Sequence, residues 1–183
     1  MEPADPSRIL VLDDFLPRYD ATEELRQTHP ELLNRPGEYK KPGYLGTNVT
    51  FEICPRIGDV VNSLPMACRR LGLPVIQKIT NLLFIASEHG DPFGECIHCD
   101  DTKIFEWGYT FSYHWQGLPG AGGTVFYDDL QGSNELHRVE FRPNRLVAFP
   151  ARYPHTGYAC ADQPDNGFRI ILAVFAVLDP RRR

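Results

Sequence analysis

From Gly72 onward the chain alternates short apolar runs with turn-forming pieces, and it leaves no room for helices between them. The runs at 75–87, 95–100, 107–115, 123–128, 137–141, 146–150, 155–160 and 168–178 read as strands. Between them lie pieces such as HGDPFG, QGLPGAGG, LQGSN and ADQPDNG, whose Gly, Pro, Asn and Asp punctuate strands. Closely spaced short strands without intervening helices predict an all-β sandwich or barrel. With 16 Pro and 15 Gly in 183 residues, the composition disfavours a helical bundle and suits a β-rich fold with many turns.

The stretch before Gly72 has another character. RILVLDDFL at 8–16 reads as a strand running into an acidic turn. Asp20 stands at an N-cap with Glu23 three residues on, a capping-box spacing that opens a helix over 21–28. That helix stops before Pro30, because the residue preceding proline avoids the helical region. Residues 34–46, rich in Pro, Gly and Tyr, read as a loop that serves as a rim or lid. The segment 57–71 is helical in pattern but contains Pro65, so Ser63 is expected to cap a second helix that Gly72 ends. The expected fold is mainly β with N-terminal helices. A cap over 1–72 precedes a double-stranded β-helix, or jelly roll, over 73–180, within a single domain.

Charge and cysteine usage narrow the function. A net charge of −5 argues against a nucleic-acid surface. No run approaches eighteen apolar residues and no basic, apolar leader is visible, so no membrane association and a cytoplasmic location are expected. Five cysteines, an odd number, fit reduced thiols. Cys96 and Cys99 form a CxxC, but on a strand they have opposite parity, so bystander thiols are the expected reading.

The strongest chemical signal is His98-Cys99-Asp100 followed by His155 and Arg169. Positions i and i+2 of a strand share a face, so His98 and Asp100 can point together into a barrel mouth. His155 on another strand completes two imidazoles and one carboxylate, the donor set of non-haem Fe(II) oxygenases. Arg169 opens the otherwise apolar run FRIILAVFAV, where an unpaired charge is costly. Its guanidinium is therefore expected to be salt-bridged or to await an anion such as a carboxylate. Trp107, Tyr109, Phe111, Tyr113 and Trp115 share one parity, an aromatic row that divides between core and pocket wall. Residues 35–45, Asn81, His89 and Asp91 are candidates for a rim, whereas His114 and His137 read as surface or strand-edge residues.

The order HCD at 98–100, YHW at 113–115, GGTVF at 122–126, PNRLVAF at 143–149, His155 and GFR at 167–169 resembles the Fe(II)/2-oxoglutarate-dependent dioxygenases of the prolyl 4-hydroxylase-like superfamily. The resemblance covers about eighty residues. It implies that His98, Asp100 and His155 bind Fe(II), that Arg169 holds the distal carboxylate of 2-oxoglutarate, and that Tyr113 helps to bind that carboxylate. The sequence departs from the pattern after Tyr113, where His114-Trp115 stand in place of Leu-Asn, and in the spacing around Thr124. An aspartate at position 100 disfavours a halide-binding site. The implied reaction is hydroxylation of a small-molecule or amino-acid-like substrate. It uses O2, with ascorbate as a supporting reductant, and releases succinate and CO2. The alternatives are a hydroxylase of peptidyl residues, a cupin-like metal- or ligand-binding module without turnover, and a jelly-roll interaction domain whose His/Asp set is accidental.

Overall fold

The computed structural model describes residues 5–17, 39–41, 44–48, 55–88, 97–100, 108–117, 122–158 and 168–182. A 3-10 turn at Pro6–Arg8 leads into β1 (Leu10–Leu12). There follow β2 (Tyr39–Lys41), β3 (Tyr44–Asn48), helix α1 (Pro55–Leu71) and β4 (Val75–Glu88). The remaining strands are β5 (Gly108–Gln116), β6 (Gly123–Tyr127), β7 (Glu135–Glu140), β8 (Arg145–Pro150), β9 (His155–Tyr158) and β10 (Phe168–Asp179). They form a seven-stranded sheet ordered β1-β8-β5-β10-β4-β3-β2 and a three-stranded sheet ordered β7-β6-β9. The pairings are antiparallel.

Two cores hold these layers. In the first, α1 lies on one face of the large sheet. Its Ile57, Val60, Leu64, Ala67 and Cys68 recur at helical spacing and are fully buried with Phe111, Tyr113, Trp115, Leu172 and Val174. In the second, Phe126 and Val139 of the small sheet meet Val147 and Phe149 of the large one, with Ile9 and Tyr153. That second core joins the two sheets into the jelly roll.

The helix differs from its sequence expectation. Pro65 sits inside one continuous helix of 17 residues rather than at the start of a second. An interior proline costs about 3 kcal/mol. Burial of Ile57, Val60 and Leu64 contributes about 1.5–3 kcal/mol each, which outweighs the break. Gly72, at φ +69°, ends the helix. Leu73 N–H donates to the Cys68 carbonyl and Gly72 N–H to that of Arg69, which makes a Schellman cap.

Two other expectations are corrected. Part of the 34–46 segment read as a loop is the hairpin β2–β3, with Tyr39 opposite Gly46, and it extends the edge of the large sheet beyond β4. The strand expected over 95–100 is, among the described residues, a single antiparallel bridge between His98 and His155. It occupies the place of a fourth strand beside β9. The expected helix over 21–28 lies outside the described residues.

The turn before β8 anchors the N-terminus. Asn144 takes a left-handed backbone at φ +60°, which Asn tolerates. Its side chain accepts from Leu16 N–H at 2.9 Å and donates to Leu16 O at 3.0 Å. Asp13 pairs with Arg145 at 2.6 Å beside it.

Candidate metal centre

The jelly roll brings His98, Asp100 and His155 to one place. One ligand atom from each lies within 4.8 Å of the others. The backbone explains how. His98 and His155 exchange N–H···O bonds at 3.0 and 2.9 Å across their bridge, and Asp100 N–H donates to Ala151 O at 2.9 Å. Two chain segments distant in sequence are thus zipped together at the positions that carry the donors. The two imidazole centroids stand 4.5 Å apart. His98 Nε2 is 3.5 Å from Asp100 Oδ1, and His155 Nε2 is 3.6 Å from Asp100 Oδ2.

The group is graded in exposure. The His98 side chain is 51% exposed, whereas Asp100 and His155 are at 10% and 9%. Phe149 and Phe126 flank the buried imidazole, with centroids 4.8 and 5.8 Å from that of His155. Water is therefore excluded on the inner side and admitted at His98.

Neighbouring groups fix the donors. His155 Nδ1 lies 2.9 Å from the Tyr153 carbonyl. A carbonyl only accepts, so the proton sits on Nδ1 and the Nε2 lone pair faces Asp100. Thr110 Oγ1 donates to Asp100 Oδ2 at 2.6 Å, which orients the carboxylate. Burial alone would raise the Asp100 carboxyl, but His155 beside it and hydrogen bonds from His98 and Thr110 outweigh burial and hold it below the usual carboxylate range. Burial pushes His155 down against the pull of Asp100, so its imidazole is held neutral. A neutral imidazole and an ionised carboxylate are the forms that bind a metal. Two histidines and one carboxylate are also the donor set expected of a non-haem iron site. The residues present therefore fit such an ion.

Cys99, between two of the three donors, points elsewhere: its Sγ donates to Arg152 O at 3.0 Å. Burial, with Asp100 nearby, raises its thiol pKa. Arg169 is the second residue of β10, opposite Ser87 of β4, and only its place in the strand is described.

The structure does not bring Tyr113 to the group. Tyr113 is buried in the helix-side core, edge-on to Phe15 and Trp115 at 5.7 and 5.8 Å. Its hydroxyl lies 3.4 Å from Asn144 Oδ1, where it donates. The physical reason is strand parity. Tyr109, Phe111, Tyr113 and Trp115 face α1, so the inner face of β5 is carried by Thr110, Ser112 and His114. The aromatic row is thus core along its described members. His114, expected at a surface or strand edge, is buried, stacked on Phe141 at 4.7 Å, and its Nδ1 accepts Arg142 N–H at 3.1 Å. Thr110 was missed by sequence reasoning. Its signal was available: it is the polar residue out of phase with the aromatic row.

No protein-family model matches the chain, and no curated protein matches it by sequence. Solved structures do. A prolyl hydroxylase from Trichoplax adhaerens, in complex with a hypoxia inducible factor peptide fragment, aligns at TM-score 0.63 and 19% identity, covering 93% of this chain and 84% of that one. The non-heme alpha ketoglutarate dependent carbocyclase SnoK from nogalamycin biosynthesis aligns at TM-score 0.68 and 15% identity, over 93% and 79%. The epimerase SnoN, in complex with Fe3+, alpha ketoglutarate and nogalamycin RO, aligns at 0.66 and 12%, over 93% and 78%. The chain shares the jelly-roll fold of these solved enzymes.

Proposed function

We propose that the chain is a non-haem Fe(II)/2-oxoglutarate-dependent oxygenase that hydroxylates a small-molecule or amino-acid-like substrate, with release of succinate and CO2. The observation that carries this reading is the convergence of His98, Asp100 and His155 within a fold shared with alpha ketoglutarate dependent enzymes of solved structure. Fe(II), when bound, supplies activation of O2 coupled to oxidative decarboxylation of 2-oxoglutarate, with ascorbate as a supporting reductant.

The chain's own residues do the positioning. His98, Asp100 and His155 would hold the metal and leave positions open for co-substrate and O2. Thr110 keeps Asp100 aimed, and the Tyr153 carbonyl keeps His155 in the tautomer whose Nε2 is a lone pair. Phe126 and Phe149 pack on His155 and shield the inner side, which would keep water from the bound metal. Arg169 is assigned the distal carboxylate of 2-oxoglutarate, a role that a planar guanidinium suits. The exposed flank at His98 is the side from which the prime substrate arrives.

Aerobic protein given Fe(II), ascorbate and 2-oxoglutarate should form succinate slowly without prime substrate, and faster when a metabolite panel supplies it. Arg169→Ala should raise the 2-oxoglutarate requirement steeply. Absence of both iron uptake and succinate would overturn the enzyme reading; an unchanged requirement in Arg169→Ala would overturn the co-substrate assignment.

A further inference from the structure

The inner face of β5 carries a buried hydroxyl that the metal site does not use. Ser112 is 4% exposed, and its Oγ has no hydrogen-bond partner among the described residues. Buried polar groups are nearly always bonded, so an orphaned hydroxyl marks a place where a partner is missing. The position is telling. Two residues before it, Thr110 grips the metal-site carboxylate. Across the sheet Ser112 stands between Val147 of β8 and Ala173 of β10, and the small Ala173 leaves that side uncrowded.

We propose that Ser112 Oγ is a co-substrate contact, donating a hydrogen bond to the carboxylate end of 2-oxoglutarate remote from the metal ligands. The inference rests on the proposed oxygenase reading and adds a residue to it. A strand advances about 7 Å over two residues, so Ser112 lies one short acyl chain along β5 from Thr110, the residue that holds Asp100. Thr110 and Ser112 are both buried, at 2% and 4% exposure, whereas His98 stands at the surface. A ligand that starts at the metal ligands and reaches Ser112 must run inward, away from the flank open to the prime substrate. A carboxylate is the partner that rewards a buried donor most, because hydrogen bonds to charged groups exceed neutral ones. Tyr113, which the family resemblance placed at this carboxylate, is occupied on the opposite face by Asn144.

The test is calorimetric binding of 2-oxoglutarate to the Mn(II)-loaded, anaerobic protein, so that no turnover is needed. Ser112→Ala should weaken 2-oxoglutarate about tenfold or more, the loss typical of a hydrogen bond to a charged group. Ser112→Thr, which keeps the hydroxyl, should bind nearly as the parent does. With 2-oxobutyrate, which lacks the remote carboxylate, parent and Ser112→Ala should bind alike. Ligand-free Ser112→Ala should melt no lower than the parent, since it sheds an unsatisfied hydroxyl; a structural role would lower the melting temperature. Should Ser112→Ala not fold, the near-isosteric, weakly donating Ser112→Cys takes its place with the same expected loss. Parental affinity for 2-oxoglutarate in either variant overturns the inference and leaves the oxygenase reading standing. Failure of the Mn(II)-loaded parent to bind 2-oxoglutarate at all overturns that reading and this contact with it.

Discussion

The two faces of β5 are built from alternate residues of one strand and do opposite work. One face, Tyr109, Phe111, Tyr113 and Trp115, is aromatic and buried against the helix side. The other, Thr110, Ser112 and His114, is polar, equally buried, and lies on the side of Asp100 and of Phe141. Burial alone therefore does not distinguish core from site in this molecule. What distinguishes them is the chemistry of the buried groups. The aromatic face packs ring against ring, with the Tyr113 hydroxyl on Asn144, whereas the polar face gives the Thr110 hydroxyl to Asp100 and carries another, on Ser112, with no partner among the described residues.

Substitutions on the two faces should separate stability from ligand binding. The largest effect is expected at the metal ligands: Asp100→Ala should abolish iron binding, read by metal content after desalting, while the metal-free protein still unfolds cooperatively. On the aromatic face, Phe111→Ala should cost about 3–5 kcal/mol in denaturant unfolding, and the fraction that remains folded should bind metal as the parent does. Thr110→Val leaves shape intact and removes the hydrogen bond to Asp100. Metal affinity should fall about tenfold to a hundredfold by competition with a chelating dye, with little change in unfolding. Tyr113→Phe should have the smallest effect. The contact of its hydroxyl with Asn144 is long, at 3.4 Å, so about 1 kcal/mol or less is expected, and 2-oxoglutarate affinity should not move. A large loss of that affinity in Tyr113→Phe would undo the assignment of faces.

Much of this arrangement is legible in the sequence. The strands over 75–87, 123–128, 146–150 and 168–178 are runs whose ends are set by glycine, proline and Asn/Asp turns, and they lie within a few residues of β4, β6, β8 and β10. His98 and Asp100 are legible as a pair because i and i+2 share a side. What fails is information that only packing supplies. Tyr113 and His114 are adjacent, and nothing local says which parity faces the helix. Pro65 reads as a break because its cost is local, whereas the burial that outweighs it comes from β5 and β10, far along the sequence. The hairpin β2–β3 is hidden in a Pro-, Gly- and Tyr-rich stretch because its strands are short and take their place from pairing with β4. The segment around His98 looks like a strand by composition, yet among the described residues it makes one bridge, to His155.

We propose above that the polar interior between the two sheets holds iron and 2-oxoglutarate together through His98, Asp100 and His155. An anaerobic titration of the Fe(II)-loaded protein with 2-oxoglutarate, followed by visible absorption in the parent and in Asp100→Ala, tests this most directly. The parent should take up one equivalent of iron and develop a saturable metal-to-ligand charge-transfer band, and Asp100→Ala should do neither. Iron bound without any 2-oxoglutarate-dependent band, or a band that survives Asp100→Ala, would contradict it.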